Sequence, residues 1–115
     1  MDALPGVQGI GARPGVRLRR KEGAVVSGFE LGRIVATPGA LEAFREAGEL
    51  EFPYLMRHLR GDWGEVDAHD QRANNRALKE GTRILSAYTL TGGEKVWIIT
   101  EADRSSTCIL LPEEY

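Results

Sequence analysis

The feature that most constrains this chain is where its glycines fall. Gly48, Gly61 and Gly81 each close a helix-length stretch, and the pair Gly92-Gly93 sits between two strand-like runs. A glycine just past the last helical residue is a common helix stop. Two glycines between alternating runs supply the positive φ values of a tight hairpin. The spacing therefore divides the chain into a helical first part and an extended second part.

The local chemistry agrees with that division. Thr37-Pro38 is a helix start, with Thr37 as cap and Pro38 at the first helical position, where no N–H is needed. This helix is expected to run to about Ala47, with Leu41 and Phe44 inward. A second is expected from Pro53 to Arg60, burying Leu55, Met56 and Leu59, followed by an Asp62-Trp63-Gly64 turn. Asp67 caps a third over residues 68–80, with Asp70 in its first turn and a thin apolar stripe of Ala73, Ala77 and Leu78. Ahead of the helices, residues 29–36 read as a strand, with Gly32 a bulge or a close backbone approach. Behind them come extended runs over 83–90, 95–101 and 107–111, the last stopped by Pro112. Val96-Trp97-Ile98-Ile99 is apolar on both faces, as a central strand is. The expected fold is α+β: an N-terminal strand, three short helices, then a three-strand antiparallel meander with the helices on one sheet face.

Residues 1–28 differ in kind. They carry six glycines and two prolines, and they read as a flexible arm outside a single domain spanning 29–115, with Val16-Arg17-Leu18-Arg19 a short extended piece. The arm holds five bases and two acids, the body ten bases and fifteen acids, so the charges are +3 and −5. An acidic body behind a basic arm is not the profile of a domain that wraps duplex DNA. The single cysteine, Cys108, excludes an internal disulfide and fits a reducing cytoplasm; its strand has no basic neighbours, so it reads as a small hydrophobe rather than a nucleophile. No apolar stretch approaches the roughly 20 residues of a membrane span, and no secretory core follows Met1-Asp2.

A set of motifs then points to a family. Leu31-Gly32-Arg33-Ile34-Val35-Ala36-Thr37-Pro38-Gly39-Ala40-Leu41 opens it, followed by Arg57-His58, Gly61-Asp62-Trp63-Gly64 and Asp70 with Asn74. Arg83-Ile84-Leu85-Ser86-Ala87-Tyr88, Trp97-Ile98-Ile99-Thr100-Glu101-Ala102-Asp103-Arg104 and Leu110-Leu111-Pro112-Glu113-Glu114-Tyr115 complete it. In these segments, over residues 29–115, the chain resembles a family of short bacterial proteins carried on plasmids, phages and integrated elements. The resemblance implies a mobile-element setting and brings no activity that transfers residue by residue.

The candidate sites divide by class. Glu101, Asp103 and Arg104 at a strand end form a polar cluster that can serve as a protein-binding surface, joined by Trp63, which in its turn is either an aromatic anchor or a lid on the core. The same cluster reads catalytically as Glu101 for proton transfer and Arg104 for a phosphate, with His58 brought in from the second helix, in the manner of a small nuclease or toxin. Its structural reading is a turn in which Asp103 and the serines bond backbone, with Glu101–Arg104 a weak surface pair. His58, Asp62, Asp67, His69 and Asp70 match no recognised ligand spacing and read as caps, first-turn acids and exposed helix residues, so neither metal nor cofactor is expected. Asn74 and Asn75 are poor interior helix formers, so one of them facing a partner or a backbone group is open, with the surface as the expected place for both. Arg17, Arg19, Arg20 and Lys21 are a candidate contact for a nucleic-acid backbone.

The leading expectation is a non-enzymatic, cytoplasmic module that docks on a host or element-encoded protein, counter-defence inhibition being one form of that role. A nuclease or toxin-like enzyme is the alternative, and nucleic-acid binding through the arm a third. A homodimer paired along a meander edge strand is also open.

Overall fold

The computed structural model describes residues 29–115; the basic arm with Arg17, Arg19, Arg20 and Lys21 lies outside the described residues. The described chain runs β1 (Arg33–Ala36), α1 (Pro38–Ala47), α2 (Phe52–Leu59), α3 (Ala68–Glu80), β2 (Ile84–Thr89), β3 (Lys95–Thr100) and β4 (Ser106–Leu110), and closes on a 3-10 turn, Pro112–Glu114. The class is α+β, as expected.

The helix boundaries follow the capping chemistry. The Thr37 hydroxyl accepts from the Ala40 N–H at 3.1 Å, and Asp67 accepts from the Asp70 N–H at 2.8 Å. Gly48 and Gly81 take over where α1 and α3 end. In α2 the inward positions differ from expectation. The helix starts at Phe52 and buries Leu55 and His58, while Met56 and Leu59 are half-buried. The inward face of α3 is Asn74 and Ala77, and Leu78 points outward.

The sheet departs from a simple meander. Its order is β1-β4-β3-β2, and β1 joins β4 in parallel, Ile34 beside Thr107 and Ala36 beside Ile109. β2, β3 and β4 form the antiparallel meander expected, and β3 is interior. The first strand begins at Arg33 rather than Phe29, because Gly32 breaks it. At Gly32 φ is 65°, and a Cβ there would drive into the Ser105 carbonyl, so the close backbone approach is the correct reading of this glycine. Phe29 is thereby released to pack on His58 and Trp63, with ring centroids 5.4 and 6.4 Å away.

The helices cover one sheet face. Ile34, Ala36, Tyr88, Leu90, Val96, Ile98 and Ile109 meet Ala40, Ala43, Phe44 and Leu55 in the main core. Trp63, Ala77 and Ile84 form a smaller cluster where α3 meets β2.

The outer edge of β2 is closed by the chain itself. The Asn74 amide behaves as a piece of strand: Leu85 N–H donates to its Oδ1 at 3.0 Å, and its Nδ2 donates to the Leu85 carbonyl at 2.7 Å. Two residues on, Ala87 N–H donates to the Trp63 carbonyl at 3.0 Å and Glu65 N–H to the Ala87 carbonyl at 2.7 Å. Gly64 makes that second contact possible, since a Cβ there would collide with the Ala87 carbonyl oxygen. A blocked edge cannot template pairing with another chain. The edge-paired homodimer open at the sequence level therefore has no edge on the β2 side, and Asn74 is buried rather than surface-exposed.

Candidate functional site: the sheet face opposite the helices

The cluster at 101–104 is built as a turn. Arg104 has φ 61°, the one positive value outside glycine among the described residues. Its guanidinium donates to the carbonyls of Ala77 (3.0 Å), Thr82 (2.7 Å) and Glu101 (3.1 Å). Those bonds finish the last turn of α3 and tie it to the β3–β4 turn, which leaves no fork of donors aimed outward at a phosphate. The same group lies 5.8 Å over the Phe29 ring. Asp103 accepts from the Ser105 N–H at 2.9 Å, and the Ser105 side chain first, then that N–H, hold its carboxyl below the usual range. The structural reading holds for Asp103, which bonds backbone, while the expected Glu101–Arg104 pair does not form because the guanidinium is taken up by backbone carbonyls. Glu101 and Asp103 are both exposed, and of the three side chains only that of Glu101, at the end of β3, makes no hydrogen bond to the described residues.

His58 is wholly buried, and its hydrogen bonds fix its protonation. The Thr107 hydroxyl donates to the Leu31 carbonyl at 2.7 Å, and a carbonyl can only accept. Thr100 must then donate to Thr107 (2.7 Å) and accept from His58 Nε2–H (2.9 Å), which leaves Nδ1 to accept from Ser86 (2.5 Å). One directed chain thus links α2, β2, β3, β4 and the approach to β1. Burial first, then the nearby Arg104 charge, pull the His58 pKa down to about 3. A neutral imidazole sealed under Phe29 and Trp63 cannot exchange protons with a bound substrate, so His58 is a core residue and not the exposed helix residue expected.

Trp63 is also internal. It is 4% exposed, and its Nε1 donates to Asn75 Oδ1 at 3.2 Å, so it is the lid of the smaller cluster rather than a surface anchor. Asp67, His69 and Asp70 bring their ligand atoms within 4.8 Å of one another at the exposed start of α3, where Asp67 already serves as the cap. Arg57 and Asp62 pair at 2.7 Å across the end of α2. The cleft between α1 and the β2–β3 turn is lined by Ala43, Ala47, Thr91 and Gly92, with Glu46 and Glu94 at its lip and no histidine or base beside them. Among the described residues no helix is long and apolar enough to cross a membrane.

What remains is the second face of the sheet. Strand alternation sends Val35, Cys108, Ile99 and Leu85 to it as one row, in register across β1, β4, β3 and β2. Leu110, Trp97 and Ala87 form the next row. Ile99 and Leu110 are 5% and 7% exposed yet belong to neither core cluster, and the other five are half-buried. No helix among the described residues packs there. Tyr115 lies over it, its ring 5.6 Å from Trp97 and its hydroxyl bonded to the Arg83 guanidinium, while 71% of the residue stays exposed. Burial pushes the Cys108 thiol upward, with Glu114 and Glu101 adding to the shift, so it is a packing group and no nucleophile.

Charges bound this apolar band at both ends. Arg83 and Glu101 lie at one end, and at the other Lys95 pairs with Glu65 at 3.2 Å beside Thr89. Four strands about 4.8 Å apart and two rows about 7 Å apart give the band a footprint of roughly 300 Å², within which Ile99 and Leu110 are already buried.

Comparison of the chain with models of protein families, with curated proteins and with solved structures finds no match in any of the three. Sequence reasoning placed Trp97 in the core and missed Leu85, Ile99 and Leu110 as a surface. The available signal was Val96-Trp97-Ile98-Ile99, apolar on both faces in a chain whose helices can cover only one.

Proposed function

We propose that this chain is a non-catalytic protein-binding module whose working surface is the sheet face opposite the described helices. The observation that carries the reading is a two-row apolar band, rimmed by charges of both signs, on the side of the sheet that none of the described helices covers. The core of a protein interface has this composition: aromatic and aliphatic groups at the centre and charges at the rim. Glu101 keeps its expected place as a binding contributor. Trp97 and Tyr115 take the anchor role first expected of Trp63, and Arg83 the cationic role expected of Arg104. The mobile-element setting, and counter-defence as one form of the role, rest on the family resemblance alone.

The enzymatic alternative loses support because its parts are otherwise engaged: Arg104 in four backbone carbonyls, counting the long contact to Ala102 at 3.4 Å, and His58 in the buried chain. The test is a substitution at the centre of the band. Leu85→Lys is expected to abolish capture of the protein partner held by the wild-type chain, with the melting temperature changed by only a few degrees and no cleavage of RNA or DNA by either protein. Undiminished capture by a folded Leu85→Lys protein, or nuclease activity that Glu101→Ala abolishes, would overturn the reading.

A further inference from the structure

Resting on that reading, we infer that the partner on the sheet face is a second copy of this chain, packed face to face with its strands antiparallel to the first. The arrangement of the rim carries the inference. A two-fold axis lying in the face, perpendicular to the strands and level with Ile98, maps each strand onto its own copy with the ends exchanged. In β3 it sets Glu101 opposite the partner's Lys95, each three residues from Ile98. Ser86 is the β2 residue level with Ile98. The same axis therefore sets Arg83 opposite the partner's Thr89, whose hydroxyl bonds Glu65 at 2.8 Å. Both rim positions thus meet the opposite charge under one operation, and symmetry doubles each contact. A closed dimer needs a patch complementary to itself in this sense.

The apolar rows obey the same operation. Leu85 comes to lie over the partner's Ala87, Cys108 over the partner's Leu110, and Ile99 over the partner's Trp97, so larger side chains meet smaller ones in two of the three positions. Aligned sheets pack about 10 Å apart with their strand directions within roughly 30°, which keeps these pairs adjacent despite the twist. Tyr115 on Trp97 supplies an exposed aromatic pair for the middle of the contact. The band by itself falls short of the roughly 800 Å² per partner of a standard interface. The rim must therefore be engaged as well, and this orientation engages it with paired charges.

The experiment is a charge exchange in the full chain, read by sedimentation equilibrium. Wild type is expected to dimerise. Glu101→Lys alone and Lys95→Glu alone should each weaken self-association at least tenfold, because each homodimer then sets like charges opposite one another. Mixed in equal amounts, the two variants should associate as tightly as wild type, since in the mixed pair every Lys again faces a Glu. A generally sticky surface would not discriminate in this way. Should either variant melt early, Arg83→Glu mixed with Glu65→Arg asks the same question at the other rim position. A wild-type chain that stays monomeric at hundreds of micromolar, or a dimer indifferent to these exchanges, overturns the inference. If Leu85→Lys still releases a different protein from such a monomer, the binding-module reading stands and only the identity of the occupant is wrong.

Discussion

Several side chains that read as chemistry in the sequence are used to hold the fold. His58 is the clearest. In the unfolded chain it takes up a proton near pH 6.5, whereas in the folded protein its pKa is about 3. The unfolded state therefore binds more protons throughout that window, and stability must fall as pH drops below 6.5. About 2 kcal/mol should be lost between pH 7 and 5, measured as urea midpoints. The depressed carboxylates, Asp62 and Glu65 among them, add their losses only at lower pH, so this window isolates the histidine. A stability flat from pH 7 to 5 would show that His58 titrates freely. Arg104→Ala removes a cation bonded to backbone carbonyls and should cost about 2 kcal/mol. None of this was legible in the sequence, because the partners of His58 lie 28 and 42 residues away at Ser86 and Thr100. Contacts within a few residues were legible: Thr37 and Asp67 as caps, and Asp103 as a backbone-bonding turn residue.

At the scale of elements, the same limit of range explains what was read and what was not. Helix starts, glycine stops and the hairpin depend on neighbours, and those of α1, α3 and the hairpin stand where expected, while α2 runs Phe52–Leu59 and ends on Arg60 ahead of Gly61. The parallel seat of β1 beside β4 depends on residues more than 70 positions apart, Ile34 and Thr107 among them, and no local pattern encodes it. Closure of the β2 edge is equally non-local, since Asn74 reaches Leu85 from the middle of a helix. Asn74→Ala deletes both bonds and leaves a strand edge bare. It should lower stability by about 2–3 kcal/mol and raise aggregation on warming, followed by light scattering. An Asn74→Ala protein that melts and scatters like wild type would mean the edge is protected by something else.

For the whole molecule, the account rests on an imbalance between the two sheet faces. One is sealed by helices through Phe44, Leu55 and Ala77, and on the other, which carries Leu85, Trp97 and Ile99, Tyr115 lies against Trp97 and no α-helix among the described residues packs. A sequence whose interior strand is apolar on both faces needs two coverings, and the described chain supplies one. The partner should therefore sit where the second covering is missing. The most direct measurement is site-specific photo-crosslinking of the full chain, with the reactive group placed at position 85 on the open face or at position 78 on the outer side of α3. Crosslinks to a protein partner from position 85 and none from position 78 are the expected result. Crosslinks from position 78 with none from position 85 would contradict the assignment of the sheet face as the working surface.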